Sequence, residues 1–249
     1  MKMQTLFGKN ALITGAGKGI GKSIARTLAM AGATIIINYK TSKHSAEELA
    51  TEINQSGGKA VAMKADLTDA EDVASLFNQV SREVGPVDIL INNAGINPPQ
   101  PQENIRLNTW AELLNINLTS AFLTIQAAVP SMKKNHFGRI INISSVAAQS
   151  NALTNSPYSG NNSGMLGLTH SYASLLAKYG ITVNTITSAL PDTQVINGGQ
   201  SINAANLRGE NLDRPEEIAD VALLLACNGY VSGQTINVNR SAHTELSEG

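Results

Sequence analysis

Short apolar runs rich in β-branched residues alternate along the chain with longer segments in which apolar residues recur at helical spacing. The runs predict strands at 10–14, 34–38, 60–64, 87–93, 139–144, 181–186 and 234–239. The longer segments predict helices near 19–31, 45–55, 69–84, 158–178 and 215–227, with a further long helical stretch before residue 139. Apolar strands joined by helices indicate an α/β fold whose parallel sheet is covered by helices on both faces. The pattern has no break resembling a linker, so residues 1–249 are predicted to form a single domain.

The composition narrows the classes of protein that this fold could belong to. The 249 residues carry a formal net charge of −1, which argues against a nucleic-acid partner. No run approaches the roughly 20 apolar residues that span a bilayer, so no membrane partner is expected. One cysteine and four histidines exclude a disulfide framework and a structural zinc site. The expectation is a cytoplasmic protein without a metal, and its low charged fraction of 15% suggests that partner subunits cover some surface.

A glycine-rich turn, TGAGKGIG, lies between the first predicted strand and the first predicted helix. Glycines at this point allow a tight turn and a close approach of the backbone to a diphosphate at the helix N-terminus. The residues assigned to cofactor binding in this turn are Gly15, Lys18, Gly19, Ile20 and Gly21. The turn therefore predicts a nucleotide site at the carboxyl end of the first strand.

With this glycine spacing the chain resembles the short-chain dehydrogenase/reductase family, and other motifs in the correct order agree. The matching positions are Asp66 and Leu67 after the third strand, Asn93, Ala94 and Gly95 in the NNAG motif, Asn117, Ser145 thirteen residues before Tyr158, and Thr193. The resemblance covers essentially the whole chain and is closest to the beta-ketoacyl-acyl-carrier-protein reductases. It implies a single-domain Rossmann-type doubly wound parallel sheet and a nicotinamide cofactor. It also implies that the NNAG motif and Thr193 line the cofactor and that Asp66 and Leu67 contact its adenine.

The resemblance implies a catalytic group, and the chain departs from that group at one position. In the family a tyrosine, here Tyr158, gives a proton to the carbonyl oxygen, while a serine, here Ser145, orients the carbonyl. An asparagine, here Asn117, supports a water relay to a lysine four residues after the tyrosine. That lysine lowers the pKa of the tyrosine and holds the nicotinamide ribose, and it is replaced here by Asn162. Asn162 is expected to order water and ribose as a neutral donor.

The energetic weight of the missing lysine follows from Coulomb's law. An ammonium about 5 Å from a tyrosinate contributes roughly 3 kcal/mol at an effective dielectric constant of 20. Its loss affects alcohol oxidation more than carbonyl reduction, because oxidation needs tyrosinate and reduction needs the protonated phenol. If the rest of the site is intact, Asn162→Lys is expected to raise carbonyl reduction by at least about tenfold.

The choice between NAD and NADP depends on the residues after the second strand. The family's NAD-dependent members carry an acidic residue there for the ribose diol, and this chain has Tyr39 at that position. Lys18 and Lys40 are placed to reach a 2′-phosphate, the alternative being that both are ordinary solvated charges. The sequence therefore predicts NADP(H).

Two functions from different classes remain open. The first is an NADPH-dependent oxidoreductase that reduces a 3-oxoacyl-type carbonyl, either on a small molecule or on an acyl carrier, with catalysis weakened by Asn162. The second is a catalytically silent NADP(H)-binding subunit that supports an active paralogue in a hetero-oligomer. The second is favoured by Asn162, by Ser188–Ala189 in place of the family's Pro-Gly, and by the altered segment 239–241. A homotetramer or a hetero-oligomer is expected, and turnover per bound nucleotide separates the two functions.

A basic cluster is the one candidate surface for a carrier protein. Lys133, Lys134 and Arg139 would suit an acidic partner, the alternative being that they form a solvated cluster.

Overall fold

The computed structural model describes residues 5–97, 105–145, 156–188 and 214–238, and within them seven strands form one parallel sheet. The strands are β1 (Asn10–Thr14), β2 (Thr34–Tyr39), β3 (Lys59–Lys64), β4 (Ile89–Asn92), β5 (Gly138–Ser145), β6 (Ile181–Ser188) and β7 (Thr235–Val238). Their order is β3-β2-β1-β4-β5-β6-β7, and every neighbouring pair is parallel. The order reverses between β1 and β4, which is where open α/β sheets bind ligands.

Helices cover both faces of this sheet, and their positions agree with the sequence pattern to within a few residues. They are α1 (Gly19–Met30), α2 (Lys43–Gln55), α3 (Ala70–Glu83), α4 (Leu107–Leu114), α5 (Ser120–Asn135), α6 (Ser156–Leu176) and α7 (Pro215–Cys227). The predicted Rossmann-type doubly wound fold is confirmed. The loop that contains Thr193 lies outside the described residues.

The core consists of two apolar layers, one on each face of the sheet. Alternate residues of a strand enter opposite layers, so that Ile13 packs with α1, α2 and α7 while its neighbour Leu12 packs with α3, α5 and α6. Because both faces are buried, the strands are continuously apolar and are easy to recognise in the sequence.

Helices α4 and α5 form one continuous helical stretch, joined by the π-helical turn Asn115–Thr119. The 29 residues Leu107–Asn135 are long and apolar enough to cross a membrane by length and composition alone. This corrects the expectation that the chain has no segment of that kind. Polar residues interrupt the apolar run in the sequence, but the mean hydropathy of the whole segment is still high. In the structure Ile125, Ala128 and Met132 of this stretch are fully buried against the sheet, and core helices of globular proteins share the same length and composition.

A chain of buried polar side chains crosses the middle of the sheet. The Thr124 hydroxyl donates to Asn92 Oδ1 (2.7 Å), and Asn92 Nδ2 donates to Asn142 Oδ1 (2.9 Å). Asn142 Nδ2 donates to Thr169 Oγ1 (2.8 Å), which also bonds Thr185 Oγ1 (2.6 Å). These bonds connect α5, β4, β5, α6 and β6, so they fix both helices relative to the strand ends that carry the site.

Arg139 lies inside the protein, only 7% exposed, at the start of β5. Its Nη1 donates to the carbonyl oxygens of Gly138 (2.8 Å) and Gly180 (3.1 Å), and its guanidinium stacks on Phe137. Burial lowers the pKa of this guanidinium. Both alternatives for Arg139, a contact to a carrier protein and a solvated cluster, are therefore wrong, because its side chain is not available at the surface.

Candidate active site

The glycine turn connects β1 to the N-terminus of α1 and has the shape that a diphosphate requires. Gly15 and Gly19 adopt φ angles of +61° and +53°, a left-handed conformation that favours glycine. At Gly19 the side where a Cβ would project has no atom within 4 Å. Lys18 is the N-cap residue of α1, and its ammonium has no acceptor with which to cap the first N–H groups of the helix. Its side chain therefore leaves these N–H groups to an anion. The residues present fit a dinucleotide.

The NNAG motif after β4 clamps this turn from the side. Asn93 Nδ2 donates to the carbonyl oxygens of Thr14 (2.9 Å) and Gly15 (3.3 Å). The Thr14 hydroxyl accepts from the backbone N–H groups of Asn93 and Ala94, each at 2.9 Å. A Cβ on Gly21 would lie 2.5 Å from Asn93 Nδ2, so only glycine leaves room for the clamp. The Thr14 hydroxyl was not anticipated, although a polar residue at the end of an apolar strand is the signal for it.

The residues expected around the adenosine are already engaged with one another. Lys40 Nζ lies 2.6 Å from Asp66 Oδ2, while the backbone N–H and hydroxyl of Thr68 donate to Asp66 Oδ1. Lys40 first, and then Thr68, hold the pKa of the Asp66 carboxyl at about 2. Tyr39 and Leu67 are buried, 9% and 6% exposed, and belong to the two core layers.

The remaining residues assigned to the cofactor differ in how they are held. Lys18 is exposed and forms no ion pair within the described part of the chain. Ile20 is half-buried and packs on the first core layer. The two lysines assigned to a 2′-phosphate therefore differ. Lys40 is paired with Asp66, whereas Lys18 has no acidic partner among the described residues.

Asn117 lies in the π-helical turn between α4 and α5 and binds the segment that follows the NNAG motif. Its Oδ1 accepts from the N–H of Ile96 (2.8 Å), and its Nδ2 donates to the carbonyl oxygen of the same residue (2.9 Å). A Cβ on Gly95 would lie 3.3 Å from Asn117 Oδ1, so the approach is close. The Asn117 amide thus both accepts from and donates to the backbone of Ile96, the two hydrogen bonds that a neighbouring β-strand would provide. Ile96, the partner in this contact, was not anticipated, and no sequence signal marks it.

Asn162 joins the two strongest catalytic candidates. Ser145 ends β5, Tyr158 lies in the first turn of α6, and Asn162 follows one turn later. Asn162 Oδ1 accepts from the Ser144 hydroxyl (2.8 Å) and from the N–H of Ser145 (3.0 Å). Its Nδ2 donates to the carbonyl oxygen of Tyr158 (2.7 Å). With 9% exposure, the amide faces inward and connects both segments.

Two residues with hydroxyl side chains, Ser145 and Tyr158, and the glycine turn are the chemical elements that the fold brings to one edge of the sheet. Ser145 and Tyr158 stand at the carboxyl end of the sheet, where the glycine turn also lies, and the position expected for a cation holds the neutral amide of Asn162. Ser144, which donates to that amide, was not anticipated; its signal is a second hydroxyl beside Ser145 at the end of a buried strand. Together the sheet order, the glycine turn and the serine–tyrosine spacing define a nicotinamide-dependent oxidoreductase.

The sequence profile described as short chain dehydrogenase matches residues 9–201, and the chain belongs to the short-chain dehydrogenase/reductase family. It is 34% identical to a 3-oxoacyl-[acyl-carrier-protein] reductase of Synechocystis sp. over 244 residues, covering 95% of this chain and 98% of the relative. A reductase of the same name from Staphylococcus aureus is 36% identical over 242 residues, covering 93% and 96%. The predicted resemblance to this branch is confirmed.

Solved structures give the same result for the fold. A gluconate 5-dehydrogenase from Burkholderia cenocepacia in complex with NADP and tartrate superposes with a TM-score of 0.88 at 30% identity, covering 97% of this chain and 98% of that one. A dehydrogenase/reductase from Sinorhizobium meliloti superposes with a TM-score of 0.86 at 32% identity, covering 95% and 96%. The chain is therefore an oxidoreductase of this family with a nicotinamide-binding fold.

Proposed function

We propose that this protein is an NADPH-dependent reductase of 3-oxoacyl-type carbonyls. The observation that carries the proposal is the bonding of Ser145 and Tyr158 to one side chain, Asn162, at the carboxyl end of the sheet. This contact joins the backbone of two residues that are distant in the sequence, Ser145 through its N–H and Tyr158 through its carbonyl oxygen. The similarity to 3-oxoacyl-[acyl-carrier-protein] reductases supports the substrate class, on a small thioester or on an acyl carrier.

The cofactor assignment rests on charge around the nucleotide turn. A buried tyrosine, Tyr39, ends β2 where an acidic residue would bind the ribose diol of NAD. Lys18 and Lys40 supply positive charge for a 2′-phosphate, and charge-assisted contacts to phosphate are among the stronger hydrogen bonds. Bound NADPH supplies the hydride that reaches the carbonyl carbon.

The protein's own residues then manage the carbonyl oxygen. The Tyr158 hydroxyl donates its proton to that oxygen as the alkoxide forms, while the Ser145 hydroxyl donates a hydrogen bond to the same atom. Asn117 holds the backbone at Ile96, the residue that directly follows the NNAG motif. Because no ammonium stabilises tyrosinate at the position of Asn162, the site favours reduction over oxidation.

The proposed assembly is a homotetramer or a hetero-oligomer of such subunits in the cytoplasm, with residues 1–249 as one domain. Support comes from a shallow groove of about 330 Å³ between α5 and α6, which Gln126, Val129, Tyr172 and Leu175 line. Leu175 is 62% exposed, and a subunit contact would remove this apolar side chain from water.

The second candidate is a catalytically silent NADP(H)-binding subunit that supports an active paralogue. The specific observation in its favour is that a neutral amide stands at the position of the family's lysine and turns inward. Its oxygen accepts from the Ser144 hydroxyl and from the backbone N–H of Ser145 in β5. Such a subunit would bind nucleotide through the glycine turn and contribute contacts rather than turnover.

Turnover per bound nucleotide tests the proposal. NADPH binding is measured by fluorescence titration, and its oxidation is then followed with a panel of 3-oxoacyl thioesters, free and carrier-bound. The proposal expects turnover that Tyr158→Phe abolishes while NADPH binding persists. Binding without turnover on the whole panel would overturn it in favour of the silent subunit, which purification of the native complex would then identify through a copurifying paralogue.

A further inference from the structure

The hydrogen bonds of Asn162 assign it a task that differs from holding a ribose. We infer that Asn162 is a positioning residue, whose amide fixes the end of β5 to the start of α6 and so sets Ser145 against Tyr158. The inference deepens the proposed function and rests on it for its catalytic consequence. It gives a physical reason for an asparagine at a position where the relatives' pattern has a lysine.

The orientation of the amide is set by its backbone partners. The N–H of Ser145 can only donate, and the carbonyl oxygen of Tyr158 can only accept. Rotating the amide by 180° would therefore oppose two donors at Ser145 and two acceptors at Tyr158. Three hydrogen bonds between 2.7 and 3.0 Å satisfy the group in one orientation, and its 9% exposure protects them from water.

A lysine at the same position could not form this connection. An ammonium has three donors and no acceptor, so it cannot take the hydrogen bonds that Ser144 and Ser145 give to Asn162 Oδ1. Where the family has a lysine whose charge lowers the pKa of the tyrosine, this protein has an amide that connects β5 to α6 and so positions Tyr158. Misplacing a reacting group by about 1 Å costs on the order of 10²-fold in rate, so fixed geometry alone is a substantial contribution.

The neighbouring residue Asn161 provides a matched comparison within the same helix. It is also an asparagine of α6 and is 2% exposed, yet neither polar atom of its side chain has a hydrogen-bond partner in the described part of the chain. Truncating Asn161 removes a buried amide without breaking a connection, whereas truncating Asn162 breaks the link between β5 and α6.

The experiment compares Asn162→Ala with Asn161→Ala in the full-length protein. Exchange of the Ser145 amide hydrogen is measured by NMR, together with kcat, KM for a 3-oxoacyl thioester and the Kd for NADPH. Asn162→Ala is expected to speed Ser145 exchange about tenfold, the equivalent of one lost hydrogen bond. It is also expected to lower kcat at least about tenfold while the NADPH Kd stays within about twofold. Asn161→Ala should leave exchange at Ser145, kcat and Kd near their wild-type values.

Ser144→Ala extends the test and covers the case in which Asn162→Ala does not fold. It removes one of the three bonds and leaves Asn162 in place, so relative to the wild type kcat should fall by up to about tenfold and Ser145 exchange should rise, while the NADPH Kd stays within about twofold. Wild-type values of kcat and of Ser145 exchange in Ser144→Ala would count against the bridge. The effects of the two substitutions should not add, because Ser144 acts through Asn162.

The possible results separate the two proposals. Unchanged Ser145 exchange in Asn162→Ala, or an equal loss of kcat in Asn161→Ala, would overturn the positioning role. An effect on the NADPH Kd as large as that on kcat would also overturn it, because Asn162 would then be a cofactor contact. If the wild type turns over no carbonyl, the proposed function fails, and Ser145 exchange alone still decides whether Asn162 makes the bridge.

Discussion

Lys40 and Asp66 form an ion pair of 2.6 Å at the edge of the nucleotide site, between the ends of β2 and β3. Lys40 is expected to bind a 2′-phosphate and Asp66 to contact adenine, so this ion pair links two contacts of the cofactor. Binding of a 2′-phosphate to Lys40 competes with a carboxylate that is already in place.

Removing this lysine should change the acid stability of the protein. Lys40→Ala is expected to raise the pKa of Asp66 from about 2 towards its usual value of 3.8, less whatever Thr68 retains. A depressed carboxyl pKa stabilises the fold above the unfolded value of about 3.9, and this contribution is lost as the pH falls to about 2. Wild type and variant should therefore differ most above pH 4 and converge near pH 2.

Urea denaturation across this pH range and an NMR titration of the Asp66 carboxyl measure the effect. Lys43→Ala is the control, because its pair with Glu47 spans 3.7 Å between exposed side chains. An Asp66 pKa that stays at about 2 in Lys40→Ala would contradict the assigned cause.

Cofactor preference should depend more on Lys18 than on Lys40. The two lysines together are expected to favour NADPH over NADH at least tenfold, which is about 1.4 kcal/mol. Because Lys40 is engaged by Asp66, Lys18→Ala should lower this ratio more than Lys40→Ala, and Asp66→Asn should raise it by releasing Lys40. Asp66→Asn also removes any contact of Asp66 with adenine, but NADPH and NADH share the adenine, so this loss cancels in the ratio of their affinities. Fluorescence titration gives the ratios, and an unchanged ratio in the double lysine variant would refute the assignment.

The buried polar chain should make two similar substitutions differ in cost. Thr169→Val leaves Asn142 Nδ2 without an acceptor and Thr185 without its partner, so the free energy of unfolding should fall by about 1–3 kcal/mol. Thr235→Val removes a buried hydroxyl that has no partner in the described residues, so it should cost less than about 0.5 kcal/mol or stabilise the protein. An equal loss of unfolding free energy in the two variants, measured by urea denaturation, would show that the buried polar side chains contribute nothing specific to stability.

Asn162→Lys should not produce the tenfold gain that the sequence predicts. The lysine strands the Ser144 hydroxyl and the Ser145 N–H, so we expect the free energy of unfolding to fall by about 1–3 kcal/mol and turnover not to rise. Adding Ser144→Ala removes one stranded donor and should recover part of the stability. A stable Asn162→Lys protein with faster turnover would favour the electrostatic account and count against the bridge.

Gly21→Ala should disrupt the nucleotide site through Asn93. The added Cβ would lie 2.5 Å from Asn93 Nδ2, so the clamp on Thr14 and Gly15 must open, and NADPH binding should weaken at least about tenfold. Gly167→Ala, in the interior of α6 with open space around the added Cβ, is the control and should stabilise the protein by up to about 1 kcal/mol. Equal NADPH affinity in the two variants would show that Asn93 can move at no cost.

The sequence predicts the strands well because both faces of the sheet are buried, so nearly every position in a strand is apolar. It predicts β4 as 87–93, whereas the strand is Ile89–Asn92. Asp88 explains part of the difference, because its side chain accepts from the N–H of Asn10 just before the ladder with β1 begins. A contact of this kind depends on a residue far away in the chain.

The site is predicted by position but not by partner. Motif spacing predicts Ser145, Tyr158 and Asn162 as site residues, and no spacing shows that the Asn162 oxygen accepts from β5. Lys40 and Asp66 are each predicted from their place after a strand, while their ion pair follows from the adjacency of β2 and β3. Arginine is usually a surface residue, yet Arg139 is buried, because two carbonyl oxygens accept from its Nη1 and Phe137 stacks on its guanidinium. Its Nε has no hydrogen-bond partner among the described residues.

The π-helical turn Asn115–Thr119 changes the direction in which side chains point between the two halves of one long helix. A π turn corresponds to one extra residue, and each residue of an α-helix rotates the chain by about 100°. The stretch before it packs on α6, and the stretch after it packs on the sheet and α3. The direction of Asn117 is therefore encoded in the number of residues as much as in their identity. A relative one residue shorter here would keep its asparagine in a sequence comparison and point it at a different part of the molecule.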